Sequence, residues 1–181
     1  MKLFRHNESI WTIDNFISKE ECEDLINFSE NAGYQEAEVS TDKGSKMIKG
    51  IRNNYRVIHQ DLTLAEKLWG KLKEFCPSLI ENNTALGLNE QFRFYKYESE
   101  QRFKRHIDGR FKRNDLEESR ITFMIYLNED FEGGETVFDE ISIRPRTGSV
   151  LCFIHELKHE GAPVKNGIKY VLRSDVMYGK I

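Results

Sequence analysis

The chain has little of what would place it outside a cell, in a membrane or on duplex nucleic acid. Cysteine is scarce: Cys22, Cys76 and Cys152 are the only three, an odd number, widely spaced and without a CxxC pair. Their apolar neighbours indicate buried thiols in a reducing compartment. Long apolar runs are missing as well. The N-terminal stretch MKLFRHNESIWTIDNFISKE lacks the apolar segment of a signal peptide, and no later segment approaches the roughly 20 apolar residues of a membrane span. Nor is one sign of charge in excess. Against 27 Lys and Arg stand 30 Asp and Glu, a net charge of −3, so no large basic field is available to hold duplex nucleic acid. There is no internal repeat and no low-complexity tract. The expectation is a cytoplasmic, soluble protein whose 181 residues form a single domain, 1–181, with one substantial core. Its oligomeric state is not legible.

What is present divides near residue 85. In the first part, after an extended start at 10–17, Ser18 stands three before Glu21, the capping-box spacing, ahead of CEDLINFSENAGY. Cys22, Leu25, Ile26 and Phe28 supply that helix with an apolar stripe, and Gly33 ends it. The polar STDKGSKMIKG, residues 40–50, reads as a surface loop, either a lid over a site or an ordinary connection. IRNNYRVIH alternates like a strand. Thr63 and Glu66 then repeat the capping-box spacing before a helix carrying Leu64, Leu68, Leu72 and Phe75, with Pro77 as the stop. From about residue 86 the pattern turns to period two in LNEQFRFYKYE, SRITFMIYLNE, ETVFDEISIRP, GSVLCFIHE and KYVLRSDVMYG, separated by turns at Gly133-Gly134 and from Pro145 to Gly148. Helices followed by antiparallel strands predict an α+β fold, a jelly roll (double-stranded β-helix) over about 86–181 with N-terminal buttressing helices over about 1–85.

The chemistry centres on RFYKYESEQRFKRHIDG. His106 and Asp108 lie two apart at the end of a strand-like run, so both side chains point the same way and can reach one metal ion. Downstream, His155 and His159 are the candidates for a third ligand, and spacing alone does not choose between them. Two His and a carboxylate on one face of an iron are the arrangement of non-haem Fe(II) oxygenases. A lone HxD also occurs by chance, as a solvated strand end. In KYVLRSDVMYG, Lys169, Val171 and Arg173 share one face of an alternating strand. A cation inside a sandwich needs an anion, so either base suggests a carboxylate ligand in the interior, unless both face solvent from an edge strand.

These stretches resemble the prolyl 4-hydroxylase-like branch of the 2-oxoglutarate and Fe(II)-dependent oxygenases. YKYESEQRFKRHIDG is similar to the signature YxxGQxYxxHxD, ITFMIYLNEDFEGGETVF to TxxxYLN…GGET, and IRPRTGSVLCFIHELKHEGAPVKNGIKYVLRSDVMY to PxxGxxxxF…HEGxPVxxGxKxxxRxDxxY. The resemblance covers roughly 88–179. It implies His106, Asp108 and His159 as catalytic metal ligands, because the family's 2-oxoglutarate-binding base follows the distal histidine by ten positions, and ten after His159 is Lys169. His155 becomes a neighbour of the site. Tyr97 and Thr122 occupy positions of hydroxyls that meet the far carboxylate of 2-oxoglutarate, and Arg173 is a further candidate for that carboxylate or for substrate. Two features depart from the pattern: Glu100 stands where the family has glycine, and no separate peptide-binding domain or secretory signal is seen, which argues against collagen. The hypoxia-sensing branch usually has arginine in the lysine's place.

The activity implied is hydroxylation of a C–H bond with succinate and CO2 as co-products, using Fe(II), 2-oxoglutarate as co-substrate and O2, with ascorbate a candidate reductant. A peptide or protein is the first-choice substrate, in the manner of prolyl 4-hydroxylases. Alternatives are an oxygenase acting on a free amino acid, small molecule or alkylated base, and a non-oxygenase metal sandwich of the cupin kind or a zinc hydrolase. Lys169 separates the last group, which has no need of a base at that spacing. Arg52 and Arg110, flanking the metal stretch, are the substrate-binding candidates, and surface charge is their bland alternative.

Overall fold

The computed structural model describes residues 1–37, 39–41, 44–46 and 51–180. The candidate lid at 40–50 lies for the most part outside the described residues. Helix Lys19–Ala32 begins as its spacing predicts: Ser18 Oγ accepts from the Glu21 N–H at 3.0 Å, and the Glu21 carboxylate accepts from the Ser18 N–H at 2.9 Å. Gly33, at φ 83°, ends it. The second helix, Leu62–Leu72, differs from expectation. It is capped by Asp61, whose carboxylate accepts from the Leu64 N–H at 2.8 Å, and not by the Thr63/Glu66 pair. An aspartate at the N-cap combines an acceptor with a negative charge at the positive end of the helix, and so starts the helix ahead of Thr63.

The strands form a ten-stranded sheet and a four-stranded one, with two small ribbons. The main path of the large sheet runs Lys2–Arg5, Ile10–Asp14, Val150–Ile154, Glu117–Tyr126, Lys169–Gly179, Gln91–Tyr97, Tyr55–Gln60 and Gln35–Glu36. The small one runs Phe103–His106, His159–Gly161, Thr136–Val137 and Ser142–Ile143. Together they make a double-stranded β-helix. The N-terminal part is more than helical buttress, since its strands at 2–5, 10–14 and 55–60 extend the large sheet on both sides. Edge groups left unpaired invite association, and these added strands cover them.

Period-two alternation sends each central strand's side chains to two separate cores. Phe92, Phe94, Phe123, Ile125, Leu172 and Val176 pack outward with Leu68, Leu72, Phe16 and Cys22 beneath the helices. Tyr95, Tyr97, Tyr126, Leu151, Phe153 and Val171 face inward, against Phe138 and Ile143 of the small sheet. Lys169 and Arg173 share the inward parity of Val171. Both bases therefore enter the jelly roll instead of facing solvent. Among the described residues no helix is long and apolar enough to cross a membrane.

Candidate metal centre

The small sheet pairs His106 directly with His159, and Asp108 follows just past the strand end. One ligand atom from each of the three lies within 4.8 Å of the others. The imidazole Nε2 atoms of His106 and His159 stand 3.5 and 3.7 Å from the two oxygens of Asp108. Each ring is oriented by its own backbone: His106 Nδ1 meets the Lys104 carbonyl at 2.8 Å and His159 Nδ1 the Leu157 carbonyl at 3.0 Å. A carbonyl only accepts, so Nδ1 carries a proton and each Nε2 faces Asp108. Burial pushes the His159 pKa down to about 4 despite the nearby Asp108, which keeps the ring neutral. Burial alone would raise the Asp108 carboxyl, but the charge of Arg173 holds it well below the usual carboxylate range. Two imidazoles and a carboxylate, open on one side, are the donor set a divalent iron takes. The wall is apolar. Phe103 stacks on His106 at 3.5 Å between centroids, and Phe153 packs edge-on to His159 at 4.5 Å.

His155 is not part of this group. It is fully buried, with Nδ1 2.9 Å from Thr122 Oγ1 and Nε2 2.8 Å from Ser119 Oγ. Thr122 donates its one hydroxyl proton to Asp108 Oδ2 at 2.6 Å, so the His155 Nδ1–H must donate to Thr122 and Nε2 must accept from Ser119. A directed chain, Ser119 to His155 to Thr122, thus ends on the metal-facing carboxylate. Thr122 was expected beside the far carboxylate of 2-oxoglutarate. In the sheet it pairs with Asp175, and its hydroxyl, which lines the same cavity as Lys169, is engaged with Asp108.

Lys169 is buried at 3% exposure. Its Nζ donates to the Gly134 carbonyl at 2.6 Å and lies 5.3 and 5.4 Å from the ring centroids of Tyr97 and Tyr126. Burial, only partly offset by the charge of Glu135, pulls its pKa down to about 7. Among the described residues no carboxylate forms an ion pair with it. Gly134 is needed there: at φ +69° a Cβ would lie 2.9 Å from the Phe131 ring and 3.2 Å from Lys169 Cδ.

Arg173 lies four residues from Lys169 on the same strand face, at the metal end. Its Nη2 is 3.2 Å from Asp108 Oδ2 and 3.1 Å from Asp175 Oδ1, while Arg93 bonds the other oxygen of Asp175 at 3.0 Å. Burial disfavours its charge, but the two aspartates outweigh that and raise its pKa. One cavity is lined by His106, Asp108, His159, Tyr97, Lys169 and Arg173, and also by Tyr95, Phe103, Met124 and Thr136, which sequence reasoning did not single out. For Tyr95 the signal was there, since it lies two before Tyr97 on the same strand face.

The two substrate candidates part company. Arg52 is buried at 5% exposure against Tyr95 and Phe103. Neither arginine lines the cavity, but Arg52 packs behind two residues that do, whereas Arg110 is turned away. Its guanidinium is committed to Glu118 and Glu156, each at 2.9 Å, because those two carboxylates converge on it from adjoining strand ends. Glu100, in the family's glycine position, has φ 64°. The turn thus keeps a left-handed residue without the glycine.

Residues 92–174 match the family model described as the 2OG-Fe(II) oxygenase superfamily. No curated protein matches the chain in sequence. Among solved structures, the viral collagen prolyl hydroxylase of Paramecium Bursaria Chlorella virus-1, in complex with 2OG, aligns at TM-score 0.68 and 23% identity over 96% of this chain and 97% of its own. A Trichoplax adhaerens prolyl hydroxylase, in complex with a hypoxia inducible factor oxygen degradation domain peptide, aligns at TM-score 0.74 and 17% identity over 94% and 84%. A Pseudomonas putida prolyl-4-hydroxylase aligns at 0.69 and 15% over 93% and 92%. At these identities the three establish the jelly-roll fold.

Proposed function

We propose, from the match of residues 92–174 to the 2OG-Fe(II) oxygenase superfamily model, that this protein hydroxylates a C–H bond of a peptide or protein, in the manner of a prolyl 4-hydroxylase, with His106, Asp108 and His159 as metal ligands. When bound, Fe(II) with 2-oxoglutarate and O2 supplies the oxidising chemistry, and succinate and CO2 are the co-products. The observation that carries the reading is one cavity with a metal-type donor set near one end and, at the other, a buried cation with no carboxylate partner among the described residues. A hydrolase or storage sandwich has no use for that cation, whereas a dicarboxylate co-substrate chelated at one end needs a countercharge at the other.

Each residue has a definable task. His106 and His159 present their Nε2 atoms to the metal, each ring held through Nδ1 by a backbone carbonyl. Asp108 is kept ionised and aimed by Arg173 and Thr122. Lys169 offers an ammonium to the far carboxylate of 2-oxoglutarate, with the Tyr97 ring alongside to define the slot. Phe103, Phe138 and Phe153 exclude water around the histidines. The family resemblance and the peptide-bound Trichoplax structure of similar fold support the choice of a peptide substrate.

Anaerobic titration of the purified protein with Fe(II) and then 2-oxoglutarate tests this. A visible metal-to-ligand charge-transfer band is expected, lost in His159→Ala and retained in His155→Ala. Its absence from well-folded protein refutes the oxygenase reading, and its persistence in His159→Ala refutes the ligand set. Lys169→Ala removes a charged hydrogen bond of roughly 1.5–3 kcal/mol, and so weakens 2-oxoglutarate about ten- to a hundredfold while iron still binds.

A further inference from the structure

Two buried cations, Lys169 in the cavity wall and Arg52 directly behind Tyr95 and Phe103, lack a carboxylate among the described residues, and one co-substrate does not satisfy both. On the reading above, 2-oxoglutarate chelates the metal through one carboxylate and meets Lys169 with the other. Arg52 remains. Its Nε bonds Asn54 Oδ1 at 2.6 Å, its Nη2 is buried without any partner, and its guanidinium lies 4.3 Å over the Tyr95 ring and 4.5 Å over the Phe103 ring. Among the described residues no carboxylate pairs with it. Burying an arginine in that state is costly unless an anion completes it.

The residue through which it acts is Tyr95. In the large sheet Tyr95 pairs with Val171, two residues from Arg173 and two from Lys169, and both Tyr95 and Arg173 line the cavity beside Asp108. Burial alone would raise the Tyr95 phenol, but the charges of Arg52, Arg173 and Arg93 override it and bring it down to about 8. Its hydroxyl is therefore a strong hydrogen-bond donor, backed by a fixed guanidinium and facing the cavity. Arg173, although paired with Asp108 and Asp175 through Nη2, keeps a buried Nε with no partner.

We propose that Tyr95 and Arg173, backed by Arg52, form a second anion subsite that receives a carboxylate of the substrate, distinct from the place Lys169 offers to 2-oxoglutarate. This rests on the oxygenase reading and narrows its substrate class to carboxylate-bearing molecules. The carboxylate can come from a chain terminus or an acidic side chain, which share the chemistry and differ in reach.

Calorimetric titration under anaerobic conditions of the protein loaded with Fe(II) and 2-oxoglutarate separates these. The probes are N-acetyl-Gly-Pro-Gly as free acid and as amide, and the amides of N-acetyl-Glu-Pro-Gly and N-acetyl-Gln-Pro-Gly. At least one acid is expected to bind tenfold or more tightly than its neutral counterpart: the first pair reports a terminal carboxylate, the second a side-chain one. Arg52→Gln and the isosteric Tyr95→Phe should each erase that ratio while the charge-transfer titration with 2-oxoglutarate keeps its wild-type midpoint. Equal binding of acid and neutral probes, or binding of none, overturns the subsite. So do variants that weaken 2-oxoglutarate but preserve the ratio, since the cations then serve the co-substrate. Loss of the charge-transfer band in the wild-type protein is a different result, and refutes the oxygenase reading itself.

Discussion

Raising the pH from 7 to 9 is expected to weaken 2-oxoglutarate binding about fiftyfold, through Lys169. Its ammonium is buried among Tyr97, Tyr126 and Gly134, and burial sets its pKa at about 7 in the unliganded protein. Only the protonated form attracts a carboxylate, and that form falls from about half of the molecules at pH 7 to about one in a hundred at pH 9. The same displacement makes the lysine a liability to the free protein. Its folded value lies below the ordinary 10.5, so between about 7 and 10.5 the unfolded chain holds the extra proton, and stability of the free protein rises with pH across that window. The full effect is on the order of 5 kcal/mol, reached below pH 7, and the group is buried enough that solvent screening removes little of it. Lys169→Met, which keeps the aliphatic stem, should therefore raise the melting temperature of the free protein at pH 6.5, abolish the pH slope, and lose the co-substrate. Calorimetry at several pH values, in buffers of different ionisation enthalpy, measures both affinity and proton uptake. Tyr95 titrates in the same range, so the series belongs in a Tyr95→Phe background as well. An affinity constant from pH 7 to 9, or a Lys169→Met protein no more stable than wild type, would refute the reasoning.

Three further outcomes follow from contacts at the site. Thr122→Val keeps the shape of the side chain but cuts the chain from His155 to Asp108; metal affinity measured by competition with a chelator should fall about ten- to a hundredfold, and an unchanged affinity would show that Arg173 alone aims the carboxylate. Gly134→Ala forces a Cβ at positive φ against Phe131 and Lys169, and should cost at least about 1–2 kcal/mol in urea unfolding as well as displacing the Lys169 stem. Glu100→Gly relieves a left-handed residue and is expected to stabilise by a few tenths to about 1 kcal/mol, net of the chain entropy that glycine adds; destabilisation would mean that the Glu100 side chain makes a contact of its own.

Much of this protein was written in local pattern. The HxD pair, the period-two strands after residue 86 and the Ser18/Glu21 cap are short-range features, and a short-range pattern specifies a strand, a face and a helix start without reference to the rest of the chain. Motif order then pointed to His106, Asp108, His159 and Lys169, because the family resemblance is read by counting along the chain and needs no knowledge of which strands pair. Where an outcome depended on which strands become neighbours, sequence alone was silent or misleading. Thr122 looked suited to the far carboxylate, yet register sets it opposite Asp175 and beside the metal ligand. Arg52 and Arg110 looked alike as flanking positive charges. Folding buries one against Tyr95 and Phe103 and gives the other to Glu118 and Glu156. Spacing could not choose between His155 and His159; cross-strand pairing puts His159 on His106 and leaves His155 between two hydroxyls. The sequence by itself determined the ligand types and the faces they occupy, since both follow from side-chain chemistry and a two-residue repeat. Only the tertiary structure decided which charges meet, because that is settled by strand register and by which groups lose water together.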